Sequence, residues 1–210
     1  MTATDTATET LTKGEQTRRT ILDAAIERFG RDGFRSTSVT EIARDAGVSG
    51  TAAYAYFPNK EALFLAAVDE DAAGVIHEGV HSLIDPTRPL GPRDAENWRS
   101  TLVYALIEAV DRHPLARRLL AGLEPEVTAR VIETPALNDL RKACADQLRA
   151  EQGAGLVRAD LDTTVVAHGI VAIMLSLLMS VVQLGPDATL TYAEDVRAVF
   201  DAALSPPAAT

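Results

Sequence analysis

The sequence is poor in aromatic residues and cysteine, and it carries no excess of positive charge. Of its 210 residues, 5% are aromatic, one is cysteine, and the formal net charge is −10. The single cysteine, Cys144, excludes a disulfide within the chain and indicates a reducing compartment. Few stretches alternate as strands do, and the abundant alanine favours helix. These features predict an all-α protein in the cytoplasm.

Membrane and secretion signals are also lacking. The first residues, MTATDTATET, have neither the positive charge nor the apolar run of a signal peptide, so we expect a disordered tail over residues 1–12. Residues 165–184 are long enough and apolar enough to span a membrane. Acidic residues flank both ends, however, which is against the positive-inside pattern. The sequence therefore predicts no membrane partner. A helix that is apolar all round needs cover on every side, from its own core and from a second subunit.

The negative charge is unevenly distributed. Residues 13–60 hold eight Lys and Arg against six Asp and Glu, a net of +2, whereas residues 61–210 hold twelve against twenty-two, a net of −10. This division is expected of a DNA-reading head on a body that does not touch DNA.

The most informative stretch is SVTEIARDAGVSGTAAYAYFPNK, residues 38–60. Ser38 followed by Glu41 forms a capping box, so a short helix should begin near Val39 and end at Gly47, where a left-handed backbone is needed. Ser49 can cap a second helix directly afterwards. Two short helices around a tight glycine turn form a helix-turn-helix, whose second helix enters the DNA major groove. Any all-helical protein contains such pairs, so the pattern alone leaves a purely structural role open.

The stretch resembles the DNA-binding domain of the TetR family of bacterial transcriptional repressors. The resemblance rests on S-V-T-x-I-A at residues 38–43 and G-V-S-x-x-x-x-Y-x-Y-F-P-x-K at residues 47–60. It implies an N-terminal three-helix helix-turn-helix head and a C-terminal helical body for ligand binding and dimerisation. It also implies binding to double-stranded DNA at a palindromic operator, as a homodimer, with release by a small-molecule effector. Small residues at the start of the second helix depart from the family, which puts the operator sequence in doubt.

These expectations define domains and DNA contacts. The predicted domains are a tail over 1–12, a DNA-binding domain over 13–60, a ligand-binding and dimerisation domain over 61–205, and a tail over 206–210. The candidate contacts with DNA are the hydroxyls at the start of the first motif helix, the exposed side chains of the second helix and the lysine that follows it. They are Thr37, Ser38, Thr40, Arg44, Ser49, Gly50, Thr51, Ala52, Tyr54, Tyr56 and Lys60.

The body offers candidates for an effector pocket and for a dimer interface. A pocket for a largely apolar effector needs apolar walls with a few polar groups. Its candidate residues are His77, His81, Trp98, Tyr104, His113, His168 and Met174. In the resembled family the last two long helices form a four-helix dimer interface, and the matching candidates here are Val165, Ala172, Leu177, Val181, Val196, Val199 and Phe200.

An enzyme is the main competing class. The sequence has no phosphate-binding glycine loop, no metal-ligand cluster and no nucleophile elbow. His77 and His81 are four residues apart, but no H-E-x-x-H pattern accompanies them. We therefore predict no enzymatic activity, no cofactor and no metal. A helical adaptor or ligand-binding protein with weak DNA affinity is the remaining alternative.

Overall fold

A computed structural model of the protein describes residues 12–84, 98–127, 133–190 and 192–206, and these ranges are helical and contain no strand. Their helices are α1 (Lys13–Ser36), α2 (Val39–Asp45), α3 (Gly50–Tyr56), α4 (Lys60–Ile84), α5 (Trp98–Val110), α6 (Pro114–Leu120), α7 (Pro135–Gly153), α8 (Thr163–Leu184), α9 (Pro186–Leu190) and α10 (Ala193–Leu204). The all-α prediction is confirmed. The predicted tails lie almost entirely outside the described residues.

The chain falls into two compact units that divide between Ala67 and Val68, within α4. The sequence placed the domain boundary a little earlier, after residue 60. The first unit is called the head below and the second the body.

Local capping signals fix the helices of the head. The Ser38 hydroxyl accepts a hydrogen bond from the backbone N–H of Glu41 (3.3 Å), and the Glu41 carboxylate accepts one from the backbone N–H of Ser38 (3.1 Å). The Ser49 hydroxyl accepts from the N–H of Ala52 (3.1 Å) at the start of α3. Gly47 has φ +68° between the two helices, where a side chain would be strained. The predicted helix-turn-helix is therefore confirmed as a structure.

An aromatic cluster holds the head together. The rings of Phe29 on α1 and Phe64 on α4 meet edge to face at 4.9 Å, and Phe34 lies 4.8 Å from Phe64. Ile21, Leu22 and their apolar neighbours on α1 complete this core beneath α2 and α3. The three-helix arrangement thus rests on a core that the exposed face of α3 does not share.

The first helix is longer than predicted. The apolar stripe of residues 16–30 predicts a helix that breaks at Gly30 and Gly33, but α1 continues through Gly30 to Ser36, and the break lies at Gly33, where φ is +80° and ψ is 169°. Gly30 keeps the helical conformation because a single glycine lowers helix propensity by only about 1 kcal/mol. Gly33 is the residue that turns the chain towards α2.

The body is built around α8, which packs against α5, α6, α7 and α9. Asp162 caps α8 by accepting hydrogen bonds from the N–H groups of Thr164 (2.9 Å) and Val165 (3.2 Å). The residues at helical spacing in α7, Leu137, Leu140, Cys144 and Leu148, predict a buried stripe, and all four are buried. The sequence did not predict α9, a five-residue helix that directly follows α8.

One side of α8 is left without cover in the single chain. The helix is long and apolar enough to cross a membrane by length and composition, but only 28% of its most apolar window of 18 residues is buried. Its other side packs on the helices of the body named above, and acidic residues flank its ends. These observations agree with a helix that serves both an internal core and a further apolar contact.

Candidate nucleic-acid interface and effector cavity

The outward face of α3 is formed by Thr51, Tyr54 and Ala55. All three are exposed, and half of the Tyr54 surface is accessible to solvent. Ala53 is fully buried and holds α3 against the rest of the head, whereas Gly50 and Ala52 are partly exposed. A helix docked in this way presents an uncharged face outward, made of two small side chains and the Tyr54 ring.

The start of α2 lies beside the start of α3. An added Cβ at Gly50 would be 3.8 Å from the Thr40 hydroxyl oxygen, and Thr40 is exposed. Arg44 is also exposed on α2, and Tyr56 is partly exposed at the end of α3. The structure therefore brings the candidates from both helices to one region of the head.

Three predicted hydroxyl contacts are already engaged within the head. Thr37 is buried and its hydroxyl donates to the carbonyl of Gly33 (2.8 Å), so it does not face a phosphate and its prediction as a DNA contact is corrected. The hydroxyls of Ser38 and Ser49 serve as helix caps. Both serines remain exposed, but their first role is to form α2 and α3.

Two cations of the head lie over aromatic rings. The Lys60 ammonium is 4.5 Å from the centroid of Phe34 and donates to the carbonyl of Arg35 (3.5 Å), while the Arg18 guanidinium is 5.0 Å from the centroid of Phe57. The helix dipole disfavours a cation at a helix start, which led us to predict a phosphate partner for Lys60; the Phe34 ring gives a second reason for a lysine there. Because these partners carry no net charge, they position both cations without neutralising them.

Arg28 has a different environment. Its guanidinium bonds Asp45 (2.6 Å) and lies near Glu41 (3.4 Å) and Asp32 (3.7 Å), which ties α1 to α2. The hydrogen bond from Arg28 holds the pKa of Asp45 below its ordinary value. The pKa of Glu41 is lowered first by the Ser38 hydroxyl and backbone, with a smaller contribution from Arg28. Arg28 is thus a structural residue of the head.

The body contains an apolar cavity of about 210 Å³. Side chains of α4, α5, α6, α7 and α8 line it, and Thr134 is the one lining residue with a polar side chain. The lining residues are Ala72, Val75, Ile76, Leu106, Ala116, Leu119, Leu120, Thr134, Leu137, Leu140, Val171, Met174, Leu175, Leu178 and Met179. An engineered cavity of roughly 150 Å³ with similar walls binds benzene, so this one has room for a larger apolar molecule.

Of the seven predicted pocket residues, Met174 lies in the cavity wall. The other six lie elsewhere, and this part of the prediction is corrected. His77, His81, His168 and Tyr104 are exposed, and the Trp98 ring nitrogen donates to Glu151 (2.7 Å). His113 bonds two carboxylates of α4. The prediction favoured polar groups, whereas the walls consist of the aliphatic stripes of five helices.

A buried cluster surrounds Asp71 of α4 and was not predicted from the sequence. The Asp71 carboxylate accepts hydrogen bonds from the N–H groups of Leu115 (3.0 Å) and Ala116 (2.8 Å) at the start of α6, and His113 Nδ1 lies 2.7 Å away. An added Cβ at Gly74 would come within 2.3 Å of the His113 ring, so the two elements are in close contact. Ala72 and Ala116, which line the cavity, adjoin this cluster on the two helices that it joins.

The predicted dimer residues divide into two groups. Val165 and Val199 are 65% and 64% exposed, Ala172 is also exposed, and Leu177, Val181 and Val196 are partly exposed. Phe200 packs against the core of its own body, which limits its contact with another subunit. Leu184, 71% exposed at the end of α8, is an apolar residue that the prediction omitted.

The lone cysteine and the histidines show no site for metal or redox chemistry in the described ranges. Cys144 is buried, and desolvation raises the pKa of its thiol to about 12. The thiolate is the reactive form, so this thiol is inert at neutral pH. No group of three His, Cys, Asp or Glu side chains that could hold a metal ion occurs among the described residues.

The two short helices, the small exposed face of α3 and the unneutralised cations define a helix-turn-helix DNA-binding head. Residues 21–67 match the family model described as bacterial regulatory proteins, tetR family. The uncharacterised transcriptional regulator YdgC of Bacillus subtilis is 27% identical over 165 residues, which cover 77% of this chain and 79% of that protein. The regulator RutR of Escherichia coli is 45% identical over 51 residues, 24% of each protein.

Solved structures agree over the whole fold. A TetR-family regulator from Pectobacterium atrosepticum superposes with a TM-score of 0.70 over 93% of this chain and 97% of its own, at 20% identity. A second, from Cytophaga hutchinsonii, has a TM-score of 0.69 over 94% and 98%, at 17% identity. Residues 21–67 thus match the DNA-binding domain of the TetR family of bacterial regulatory proteins, and the fold of the chain is that of solved TetR-family regulators. The protein is a DNA-binding transcriptional regulator.

Proposed function

We propose that the protein is a repressor that binds a palindromic operator as a homodimer and leaves it when an uncharged apolar molecule enters the cavity. Residues 13–60 act as the DNA-binding domain and residues 61–205 as the effector and dimerisation domain. Its relatives are transcriptional regulators. We propose that it acts in the cytoplasm, without a catalytic step and without a metal.

The cavity is the observation that carries the effector part of this proposal. Its walls are almost wholly aliphatic, so a charged molecule would lose its hydration without gaining a partner. Three residues of α4, Ala72, Val75 and Ile76, contribute to those walls, and the same helix begins within the head. A ligand that changes the conformation of α4 therefore acts on a segment shared by the operator-binding and effector-binding parts.

The homodimer part is supported by the uncovered apolar residues of α8 and α10. Val165 and Leu184 on α8 and Val199 on α10 expose most of their surface in the single chain. A second copy would remove that surface from water at about 25 cal/mol per Å². Two heads are also needed to read a palindrome, because one short helix contacts only a few base pairs.

A cavity-filling variant tests the effector mechanism. Ala116 lies in the cavity wall on α6, and Ala116→Phe fills part of the space from inside. We expect this variant to bind the operator duplex with unchanged affinity in a gel-shift assay but to resist release by any uncharged hydrophobic compound that displaces the wild-type protein. Ala143→Phe, on an exposed position of α7, serves as the matched control and should be released normally.

The two possible failures are distinct. If Ala116→Phe is released as readily as the wild type, the effector does not bind in this cavity. If no uncharged hydrophobic compound releases the wild-type protein, whereas charged ones do, the effector class is wrong although DNA binding stands.

A further inference from the structure

We infer that the operator is read through thymine methyl groups, which Thr51 and Ala55 contact from the exposed face of α3. This inference rests on the DNA-binding activity of the head and adds the base chemistry that the head selects.

The sequence of α3 restricts what the helix can read. The helix is GTAAYAY, without Arg, Lys, Asn, Gln, Asp or Glu. The bidentate pairs that select guanine need Arg or Lys, those that select adenine need Asn or Gln, and acceptance from cytosine needs Asp or Glu. What remains for α3 is apolar contact with the thymine C5-methyl group and hydrogen bonding by hydroxyls.

The structure decides which α3 residues have this role. Ala53 is fully buried and the Ser49 hydroxyl caps the helix, so neither is directed at a base edge. Thr51 and Ala55 are both exposed and are four residues apart, which puts them on one face of the helix. Their side chains end in a methyl group, and Thr51 adds a hydroxyl that can bond either a donor or an acceptor.

The spacing of the two methyl groups predicts the spacing of the thymines. Side chains four residues apart on a helix have Cβ atoms about 5–6 Å apart. Base pairs follow one another every 3.4 Å or so along the duplex. The two methyl groups therefore reach thymines one or two base-pair steps apart in each half-site.

Cations of the head have another role in this arrangement. Lys60 and Arg18 are held over aromatic rings outside α3, and Arg44 is exposed on α2, the helix that crosses the DNA backbone in this motif. They supply affinity for phosphate, which is independent of sequence. Discrimination between bases is left to α3, through its methyl contacts and its hydroxyls.

Substitution of uracil for thymine tests this inference directly, because it removes the C5-methyl group and keeps the hydrogen-bonding pattern of the base. The full-length protein is first used to enrich a duplex from a random-sequence library. Each thymine of the enriched duplex is then replaced by deoxyuridine in both half-sites, and the Kd is measured at fixed salt. We expect about a fourfold loss per methyl at the contacted thymines, hence about sixteenfold for a symmetric pair. Replacement outside the half-sites should have no effect.

Thr51→Ser provides the protein side of the test, since it removes one methyl and keeps the hydroxyl. In a homodimer it should weaken binding to the thymine duplex about sixteenfold, as the symmetric pair of uracils does. It should cause no further loss on a duplex that already carries uracil at the contacted thymines. An enriched duplex whose thymines all tolerate uracil overturns the inference and leaves operator binding intact. A library that yields no enriched duplex overturns both.

Discussion

Removal of the Asp71 carboxylate should destabilise the body more than any exposed acidic substitution. In the structure this side chain accepts hydrogen bonds from two N–H groups at the start of α6 and lies 2.7 Å from His113 Nδ1. Asp71 is buried, as are Leu115 and Ala116, so water does not replace the lost acceptor. Asp71→Ala therefore leaves at least two buried donors without a partner.

The expected magnitude follows from these bonds. A buried donor without an acceptor costs about 1–3 kcal/mol, and α6 also loses the group that caps its first turn, so we expect a loss of about 3–5 kcal/mol in the free energy of unfolding. For a unit of this size, each kcal/mol lowers the Tm by about 2–4 °C. Asp71→Ala should thus melt about 10 °C below the wild type in far-ultraviolet circular dichroism.

Two further variants make this result specific. Both N–H groups donate to the same oxygen, Oδ2, so Asp71→Asn keeps an acceptor for both and changes the atom that faces His113; it should lose clearly less stability than Asp71→Ala. Asp139→Ala removes an exposed carboxylate from α7 and should change the free energy of unfolding by less than about 0.5 kcal/mol. Equal melting of Asp71→Ala and Asp139→Ala would refute the claim that Asp71 joins α4 to α6.

Three other predictions concern the dimer, the thiol and the head. Val199→Asp places a charge on the uncovered apolar surface and should give monomers in sedimentation, while an unchanged dimer would move the interface elsewhere. Cys144 should not react with a thiol reagent at neutral pH until the protein is unfolded, because burial raises its pKa to about 12; rapid labelling of the native protein would contradict this. Glu41 and Asp45 have lowered pKa values in the folded head. Their ionised carboxylates therefore stabilise the folded head above the pKa values of the unfolded chain, and this stabilisation is lost as the pH falls through the folded pKa values, below about pH 4. Arg28→Met should therefore make the melting temperature of the protein less sensitive to acid pH. A pH dependence identical to that of the wild type would contradict the stabilising role of Arg28.

The parts of the fold that sequence predicted well depend on local chemistry. The caps at Ser38 and Ser49 and the left-handed glycine at residue 47 involve neighbours within a few residues, so their spacing is visible in the chain. The family resemblance drew on the same short stretch. Of the two glycines predicted to break the first helix, Gly33 does so and Gly30 does not, because the non-helical backbone at Gly33 already makes the turn.

The sites that sequence predicted poorly depend on contacts between distant elements. The bond between Asp71 and Ala116 joins residues 45 positions apart, and the cavity wall is assembled from five helices. No periodicity distinguishes an aliphatic residue that lines a cavity from one that fills a core. The ring beneath Lys60 is likewise 26 positions away in the chain, at Phe34.

The claim that α3 reads an operator is tested most directly by enrichment of genomic DNA fragments on the full-length protein, in parallel with Tyr54→Ala. Tyr54 is exposed on α3, so its truncation should leave the helical content unchanged. We predict that the wild type enriches a palindrome with half-site centres one helical turn or a multiple of it apart, and that the variant loses this enrichment. Equal enrichment by both proteins, or none by the wild type, would contradict the account.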